Sequence, residues 1–217
     1  MNILVTGAGG TIGTSLCTRL NSEYPNYRVI KFMHGGILLK KHNLTYSGDL
    51  YIKNHVKTVF KEEAIDTIVH LAVTRNPMND PRIRSYATLY RDTQILFNLL
   101  EASCNVKKIV FASSATIFGS PEAPTDGISL SIATSAYIDA INQVSKRACI
   151  NMTNIKNHQA PDPSNHFNHD DAHLSAENRM FNGTSKYINE LVLHAFGQEH
   201  PQTECVSIRM PRVGRMG

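Results

Sequence analysis

Apolar residues along this chain come in short unbroken runs, separated by stretches in which they recur every three or four positions. Asn2 to Thr6 is such a run. Ile3, Leu4 and Val5 stand together with no polar alternation, the pattern of a strand covered on both faces. Arg28–Met33, Ile65–Ala72, Lys108–Ala112 and Glu204–Met210 are read as the further strands. Between them the spacing predicts helices. Residues 14–22 place Leu16, Cys17 and Leu20 on one face, and Tyr24-Pro25-Asn26 ends that segment. Further helices are expected at Tyr51–Lys61, at Thr88–Ser103 (Leu89, Leu96, Leu99, Leu100) and at Thr184–Phe196 (Ile188, Leu191, Val192, Ala195). A short strand is expected ahead of Ser47-Gly48-Asp49-Leu50, with Asp49 as cap of the helix that follows. Strand and helix alternating in this way imply an α/β fold, a parallel sheet wound on both faces, expected to form a single domain over residues 1–217.

The alternation lapses from Ser120 to Met180, where Pro121, Pro124, Pro161 and Pro163 fall. One helix is predicted there, Ser135–Met152, with Ile138, Ile141, Ser145, Ala148 and Met152 on a face. Asn157–His173 is polar, histidine-rich and aperiodic. A segment of this length reads as an insertion ahead of the last helix: a lid, an interface or a partly disordered stretch. His166, His169, Asp170, Asp171 and His173 are donors of the kind a metal takes. A polar lid has the same composition, and no metal is expected.

Composition adds bounds. With 41% apolar and 18% charged residues, the chain is ordinary for a globular protein. No apolar run approaches the roughly 20 residues that span a bilayer, so no membrane partner is expected. The first residues are already strand-like, without a basic stretch leading into an apolar one, so no secretory signal is expected. Cys17, Cys104, Cys149 and Cys205 are scattered with no CxxC pair. That usage suits a reducing cytoplasm and implies neither disulfides nor structural zinc. A net charge of +4 without a basic run suits small anionic ligands as well as nucleic acid and decides nothing by itself; no nucleic-acid partner is expected.

The chemistry begins where the first strand ends. Gly7, Gly10 and Gly13 follow it directly, with Gly9, Thr11 and Ile12 completing the turn into a helix. In a dinucleotide-binding turn the first glycine permits the tight bend, the second lets backbone approach a pyrophosphate, and the third lets helix and strand pack closely. The second strand ends at Met33 and His34, where such folds often carry a carboxylate for the adenosine ribose hydroxyls. Here none is present, and Lys40 and Lys41 follow. This leans towards NADP over NAD.

Several segments, in order, resemble the extended short-chain dehydrogenase/reductases of the epimerase/dehydratase type. Thr6-Gly7-Ala8-Gly9-Gly10-Thr11-Ile12-Gly13 is similar to that family's TGxxGxxG loop. Asp49-Leu50 resembles its adenine-contacting pair, and His70-Leu71-Ala72, continued by Val73, the segment lining the nicotinamide side. Asn98-Leu99-Leu100-Glu101-Ala102 resembles the NLLEA helix end. Ser113-Ser114-Ala115-Thr116-Ile117-Phe118-Gly119 resembles a strand end whose last serine contacts substrate. Gly183-Thr184-Ser185-Lys186 with Glu190 resembles the active-site helix. The resemblance implies a Rossmann-like fold and an NAD(P)-dependent oxidoreductase for nucleotide sugars or related hydroxylated or keto small molecules. It also implies a homodimer built on the helices Thr88–Ser103 and Thr184–Phe196. In it, Ser114 binds the substrate oxygen and Lys186 the nicotinamide ribose.

Departures from the family pattern matter as much. Asn182 stands four residues before Lys186, where the family has a tyrosine that serves as general base when lysine lowers its pKa. Asparagine has no titratable proton; it either orients substrate by hydrogen bonds or records lost catalysis. Phe181 beside it lacks a hydroxyl. Tyr137, in the insertion, has Ile141 rather than a lysine four residues on. Asp92 stands where the family has asparagine, and Arg212 where one usually follows the last strand. Family members also continue past the point matching Gly217 to build most of the substrate pocket. Two other readings therefore stay open: a nucleotide-binding sensor or scaffold without catalysis, and a non-redox lyase or cyclase.

Overall fold

A computed structural model describes residues 1–74, 81–114, 117 and 176–210, with side chains throughout except at 81–88 and 176–182. The predicted helix Ser135–Met152, Tyr137, the histidine-rich stretch from Asn157 to His173 and Arg212 lie outside the described residues.

The described elements are β1 (Asn2–Thr6), α1 (Thr11–Glu23), β2 (Arg28–His34), β3 (Lys40–His42), β4 (Thr45–Gly48), α2 (Lys53–Glu62), β5 (Thr67–His70), α3 (Pro81–Ala102), β6 (Lys108–Ser114), α4 (Ala176–Glu199) and β7 (Glu204–Met210). The strands form one seven-stranded sheet in the order β3-β4-β2-β1-β5-β6-β7. This is a Rossmann-like, doubly wound arrangement, as the alternation predicts. The unbroken apolar runs are explained by position. β1 sits between β2 and β5, parallel to both, with Ile3 opposite Val29 and Thr67. Its residues from Ile3 to Thr6 are all buried.

The sheet is not wholly parallel. β3 was not legible in the sequence and runs antiparallel to β4, with Lys41 opposite Tyr46. Parallel neighbours such as β2 and β4 are usually joined by a crossover helix; here the short β3 makes the return instead. Asn43, at φ 52°, forms the bend between β3 and β4. All three residues of β3 are exposed, and its two lysines discourage pairing at an otherwise open sheet edge.

Two compact units divide the chain. The first comprises Met1–Thr74, Gln94–Ala112 and His200–Ser207, and the second the described parts of Arg75–Thr93, Ser113–Glu199 and Ile208–Gly217. In the first, Ile3, Val5, Ala8, Cys17 and Val29 form a buried cluster with Leu16, Leu20, Met33 and Leu71 packed against it. Among the described residues, no helix is long and apolar enough to cross a membrane.

Candidate functional site

Strand order reverses beside β1: the chain leaves it for β2 on one side and returns to β5 on the other. In open parallel sheets ligands bind beyond the strand ends at such a switch point. The glycine turn stands there. Gly7 has φ +69°, and a Cβ on it would lie 2.8 Å from the Ala72 nitrogen and 2.9 Å from the Leu71 carbonyl carbon. Only a residue without a side chain lets the two turns lie this close. A Cβ on Gly13 would fall on the Gly7 carbonyl oxygen and within 2.7 Å of the Ala8 Cα, so the third glycine is what lets α1 begin against the turn.

Short hydrogen bonds fix the turn. The Gly10 N–H donates to the Gly7 carbonyl (3.0 Å), Thr14 N–H to the Gly10 carbonyl (2.8 Å) and Ala8 N–H to the Phe32 carbonyl (3.2 Å). Gly10 is the N-cap of α1, with no side-chain cap and no acidic residue in the first turn. The leading N–H groups and the positive end of the helix dipole are thus left to an external anion. The residues present fit a dinucleotide pyrophosphate. Gly9 and Thr11 are exposed, and Ile12 is half-buried.

A contact the sequence reading missed braces the floor of this turn. The Thr6 hydroxyl lies 2.7 Å from His70 Nδ1, with both residues buried. The Ala72 N–H donates to the same hydroxyl at 3.4 Å, and the Leu71 N–H to the Thr6 carbonyl at 3.2 Å. The Thr6 hydroxyl thus bonds both the Ala72 N–H and the His70 ring, which also stacks on Phe111. Leu71 and Ala72 are thereby locked under Gly7, while Val73 is exposed.

At the end of β2, Met33 is half-buried and its Sδ would lie 3.4 Å from a Cβ on Gly9. His34 is exposed. Lys41, which contributed to the NADP lean, is committed elsewhere. Its ammonium lies 2.7 Å from Glu62 and 3.1 Å from Glu63, and its pKa is raised, most of all by the bond to Glu62. The expected cap at Asp49 is corrected as well. α2 starts at Lys53 after Ile52, with no side-chain cap. Asp49 Oδ1 instead accepts from the Tyr51 N–H at 2.9 Å, and the Asp49 N–H donates to His55 Nδ1 at 3.1 Å. Asparagine and aspartate side chains form such local turns readily. Leu50 is buried, and its carbonyl and that of Tyr51 accept from the Asn98 amide at 2.8 and 3.0 Å.

The second unit holds the other candidates. Ser114 is the last residue of β6 and half-buried. Asn182 lies in α4 one turn before Lys186, so the two share a helical face. Lys186 is buried, as are Asp92 on α3 and Glu190 one turn further along α4. Burial pushes the Lys186 ammonium down to about 8, while the charges of Asp92 and Glu190 act in the opposite sense. Glu190 is held by Arg209 of β7, whose Nη2 and Nε donate to its carboxylate at 2.8 and 3.1 Å. This two-pronged pair was not foreseen, although Glu190 follows Lys186 at helical spacing. Next to Ser114 and Lys186 in the chain, Ser113 Oγ and Ser185 Oγ are buried with no hydrogen-bond partner among the described residues, as is Asn189 Oδ1.

A doubly wound sheet with a glycine turn at its switch point defines a dinucleotide-binding fold. The chain belongs to the NAD dependent epimerase/dehydratase family, whose profile matches residues 3–157. It is 33% identical over 133 residues to the UDP-glucose 4-epimerase of Bacillus subtilis (strain 168), covering 56% of this chain and 39% of that protein. The fold is similar to that of the UDP-glucose 4-epimerase from Bifidobacterium longum in complex with NAD+ and UDP. That likeness has a TM-score of 0.60 at 21% identity, over 96% of this chain and 52% of the other. It is also similar to an L-threonine dehydrogenase from Cupriavidus necator, with a TM-score of 0.58 at 16% identity over 96% and 54% of the two chains. The matched stretch thus spans about two-fifths of the length of the curated relative.

Proposed function

We propose that the protein is an atypical NAD(P)-binding oxidoreductase of the epimerase/dehydratase type, acting on a nucleotide sugar or a related hydroxylated or keto small molecule. The observation that carries this reading is the buried Lys186, with Asp92 and Glu190 also buried in the same unit. Burying an ammonium costs on the order of several kcal/mol unless anions compensate, and a helix that only had to pack would carry an apolar residue there. In this reading Gly7, Gly9, Gly10, Thr11, Ile12 and Gly13 receive the pyrophosphate. Asp49 and Leu50 flank the adenine, Met33 and His34 the adenosine ribose, and Leu71, Ala72 and Val73 the nicotinamide side. Lys186 donates to the nicotinamide ribose hydroxyls, Ser114 binds the substrate oxygen, and Asn182 orients substrate by hydrogen bonds. When bound, the nicotinamide supplies a hydride acceptor or donor. The substrate proton then goes to a group other than residue 182.

The lean towards NADP rests on the missing carboxylate at Met33 and His34, since Lys41 is engaged with Glu62 and Glu63. We further propose a cytoplasmic homodimer and a single functional domain over residues 1–217, with residues 120–180 as an insertion at the substrate side. Asn182 favours a second reading, a binding-only sensor or scaffold, because it removes the family's phenol.

Calorimetric titration with NAD(H) and NADP(H) tests the binding claim: micromolar affinity is expected, and silence up to millimolar concentration sinks both readings. Asn182→Tyr then separates them. Loss of a native turnover indicates a repurposed site, and a gain of oxidoreductase turnover indicates a decayed one.

A further inference from the structure

Side chains from two helices converge on the short turn that follows β4. Gly48 ends that strand, and Asp49, Leu50 and Tyr51 lead into α2. Part of the turn is held by its own atoms: the Tyr51 N–H donates to Asp49 Oδ1 at 2.9 Å, and the Ile52 N–H to the Asp49 carbonyl at 3.1 Å. The other bonds come from outside it. His55 is buried in the first turn of α2. Its ring reaches back past the helix start, and Nδ1 accepts the Asp49 N–H at 3.1 Å. Accepting there places the ring proton on Nε2. The ring comes this close because residue 48 is glycine, where a Cβ would lie 2.9 Å from Nδ1. From α3, the amide nitrogen of the buried Asn98 donates to the Leu50 carbonyl at 2.8 Å and the Tyr51 carbonyl at 3.0 Å. Gln94 Nε2 donates to Asn98 Oδ1 at 3.1 Å, which keeps the amide nitrogen turned to those carbonyls.

We propose that His55 and Asn98 are positioning residues for the adenine end of a bound dinucleotide, holding the turn from Asp49 to Tyr51 from two sides before the ligand arrives. The proposal rests on the reading of Asp49 and Leu50 as the pair that flanks the adenine. A turn that only joined β4 to α2 could leave its N–H and carbonyl groups to water, as surface loops do. Here two buried side chains from separate helices supply the partners instead. Leu50 is buried, while Asp49 and Tyr51 are half-buried. A segment fixed in this way loses little freedom when a base settles against it, which lowers the cost of binding. Removing either partner frees the turn, and the loss falls on the half of the ligand that the turn contacts.

The test uses the full chain, labelled with 15N, and takes AMP and nicotinamide mononucleotide as probes of the two halves of NAD. In the parent, a scalar coupling across the N–H···N bond is expected between the Asp49 amide and His55 Nδ1, and AMP is expected to shift the Asp49 and Leu50 amide resonances. His55→Leu abolishes the coupling and weakens AMP and NAD alike, by about five- to tenfold, with nicotinamide mononucleotide unchanged. His55→Asn, whose side-chain oxygen can accept the same N–H, recovers most of that affinity, a rescue that a space-filling role would not produce. Asn98→Leu is the second arm should His55→Leu fail to fold, and gives the same selective loss. Parental AMP affinity in either folded variant overturns the proposal, as does a loss shared equally by AMP and nicotinamide mononucleotide. The two failures are distinguishable. Asp49 and Leu50 amides that ignore millimolar AMP in the parent overturn the adenine reading and the proposal with it. A parent that binds AMP there, beside variants that lose nothing, overturns the proposal alone.

Discussion

Gly13→Ala is the sharpest test of how the dinucleotide turn is built. The added Cβ would land on the Gly7 carbonyl oxygen and 2.7 Å from the Ala8 Cα. Both are backbone atoms, so no flexible side chain can yield. That oxygen also accepts the Gly10 N–H at 3.0 Å, so moving it loosens the turn. Overpacking a tight site costs about 1–3 kcal/mol, and backbone neighbours place this one at the upper end. For a chain of this length about 3 kcal/mol corresponds to a melting temperature lower by about 6–12 °C.

Two further substitutions calibrate the result. A Cβ on Gly36 meets nothing within 4 Å, so Gly36→Ala is expected to be neutral, or stabilising by about 0.4–1 kcal/mol through the unfolded chain. A Cβ on Gly9 meets only the Met33 side chain, at 3.4 Å. Gly9→Ala therefore leaves the melting temperature nearly unchanged while placing a methyl group on the exposed rim where a pyrophosphate must approach. Melting curves and NAD calorimetry on the three variants read both quantities. A Gly13→Ala protein that melts with the parent and binds NAD equally would refute the close-packing account. A Gly9→Ala protein with undiminished affinity would refute the placement of the anion.

Other expectations follow from particular contacts. Thr6→Val leaves His70 Nδ1 buried without its hydroxyl partner, and should cost about 1–3 kcal/mol and weaken NAD binding by loosening Leu71 and Ala72; chemical denaturation and calorimetry check it. Glu63 gives a pH signature. Burial raises its pKa, but the bonds from Tyr46 and Lys41 and the charge of Arg28 outweigh it and hold the carboxyl below its ordinary range. A depressed carboxylate contributes stability above its unfolded pKa that is lost as pH falls through the folded one. Glu63→Gln should therefore melt lower than the parent at pH 7, with the gap closing below about pH 4; a gap constant from pH 3 to 7 refutes the assignment. His34→Asp should shift preference towards NAD, because a carboxylate there accepts from a free ribose hydroxyl and repels a 2′-phosphate. The ratio of the NAD and NADP dissociation constants measures this.

What the sequence made legible was what depends on short-range pattern. Continuous apolar runs marked the covered strands, and glycine spacing marked a turn where a Cβ has no room. Pairings between distant segments were hidden. Thr6 and His70 are 64 positions apart, and neither residue type announces a partner. Lys41 read as a loose basic residue because the bend at Asn43 that carries β3 back along β4 has no glycine to flag it. Once β3 pairs with β4, Lys41 stands opposite Tyr46. The ammonium then reaches Glu62 and Glu63 at the end of α2, and a sequence cue for phosphate binding becomes a structural ion pair. Asp49 was misplaced for a related reason. Aspartate caps a helix or closes a local turn with the same oxygen, and the three residues between it and Lys53 decide which.

The two departures on the Lys186 side gain meaning together. In the family pattern the charged lysine lowers the phenol's pKa, so ammonium and hydroxyl act as a pair. Asn182 removes the titratable hydroxyl from the turn before Lys186, and Asp92 adds a carboxylate to its surroundings. The carboxylate favours the ammonium form, and without the phenol that charge has no hydroxyl in the preceding turn to acidify. The ammonium is then left to hold hydroxyls in place. Any turnover would draw its base from the substrate, from water or from another residue. On this account Asn182→Tyr gains more activity alone than when combined with Asp92→Asn, which lowers the charged fraction of the lysine. Equal, additive effects of the two changes on NAD-dependent turnover would show that the positions are not coupled, and the charge argument would fall with that result.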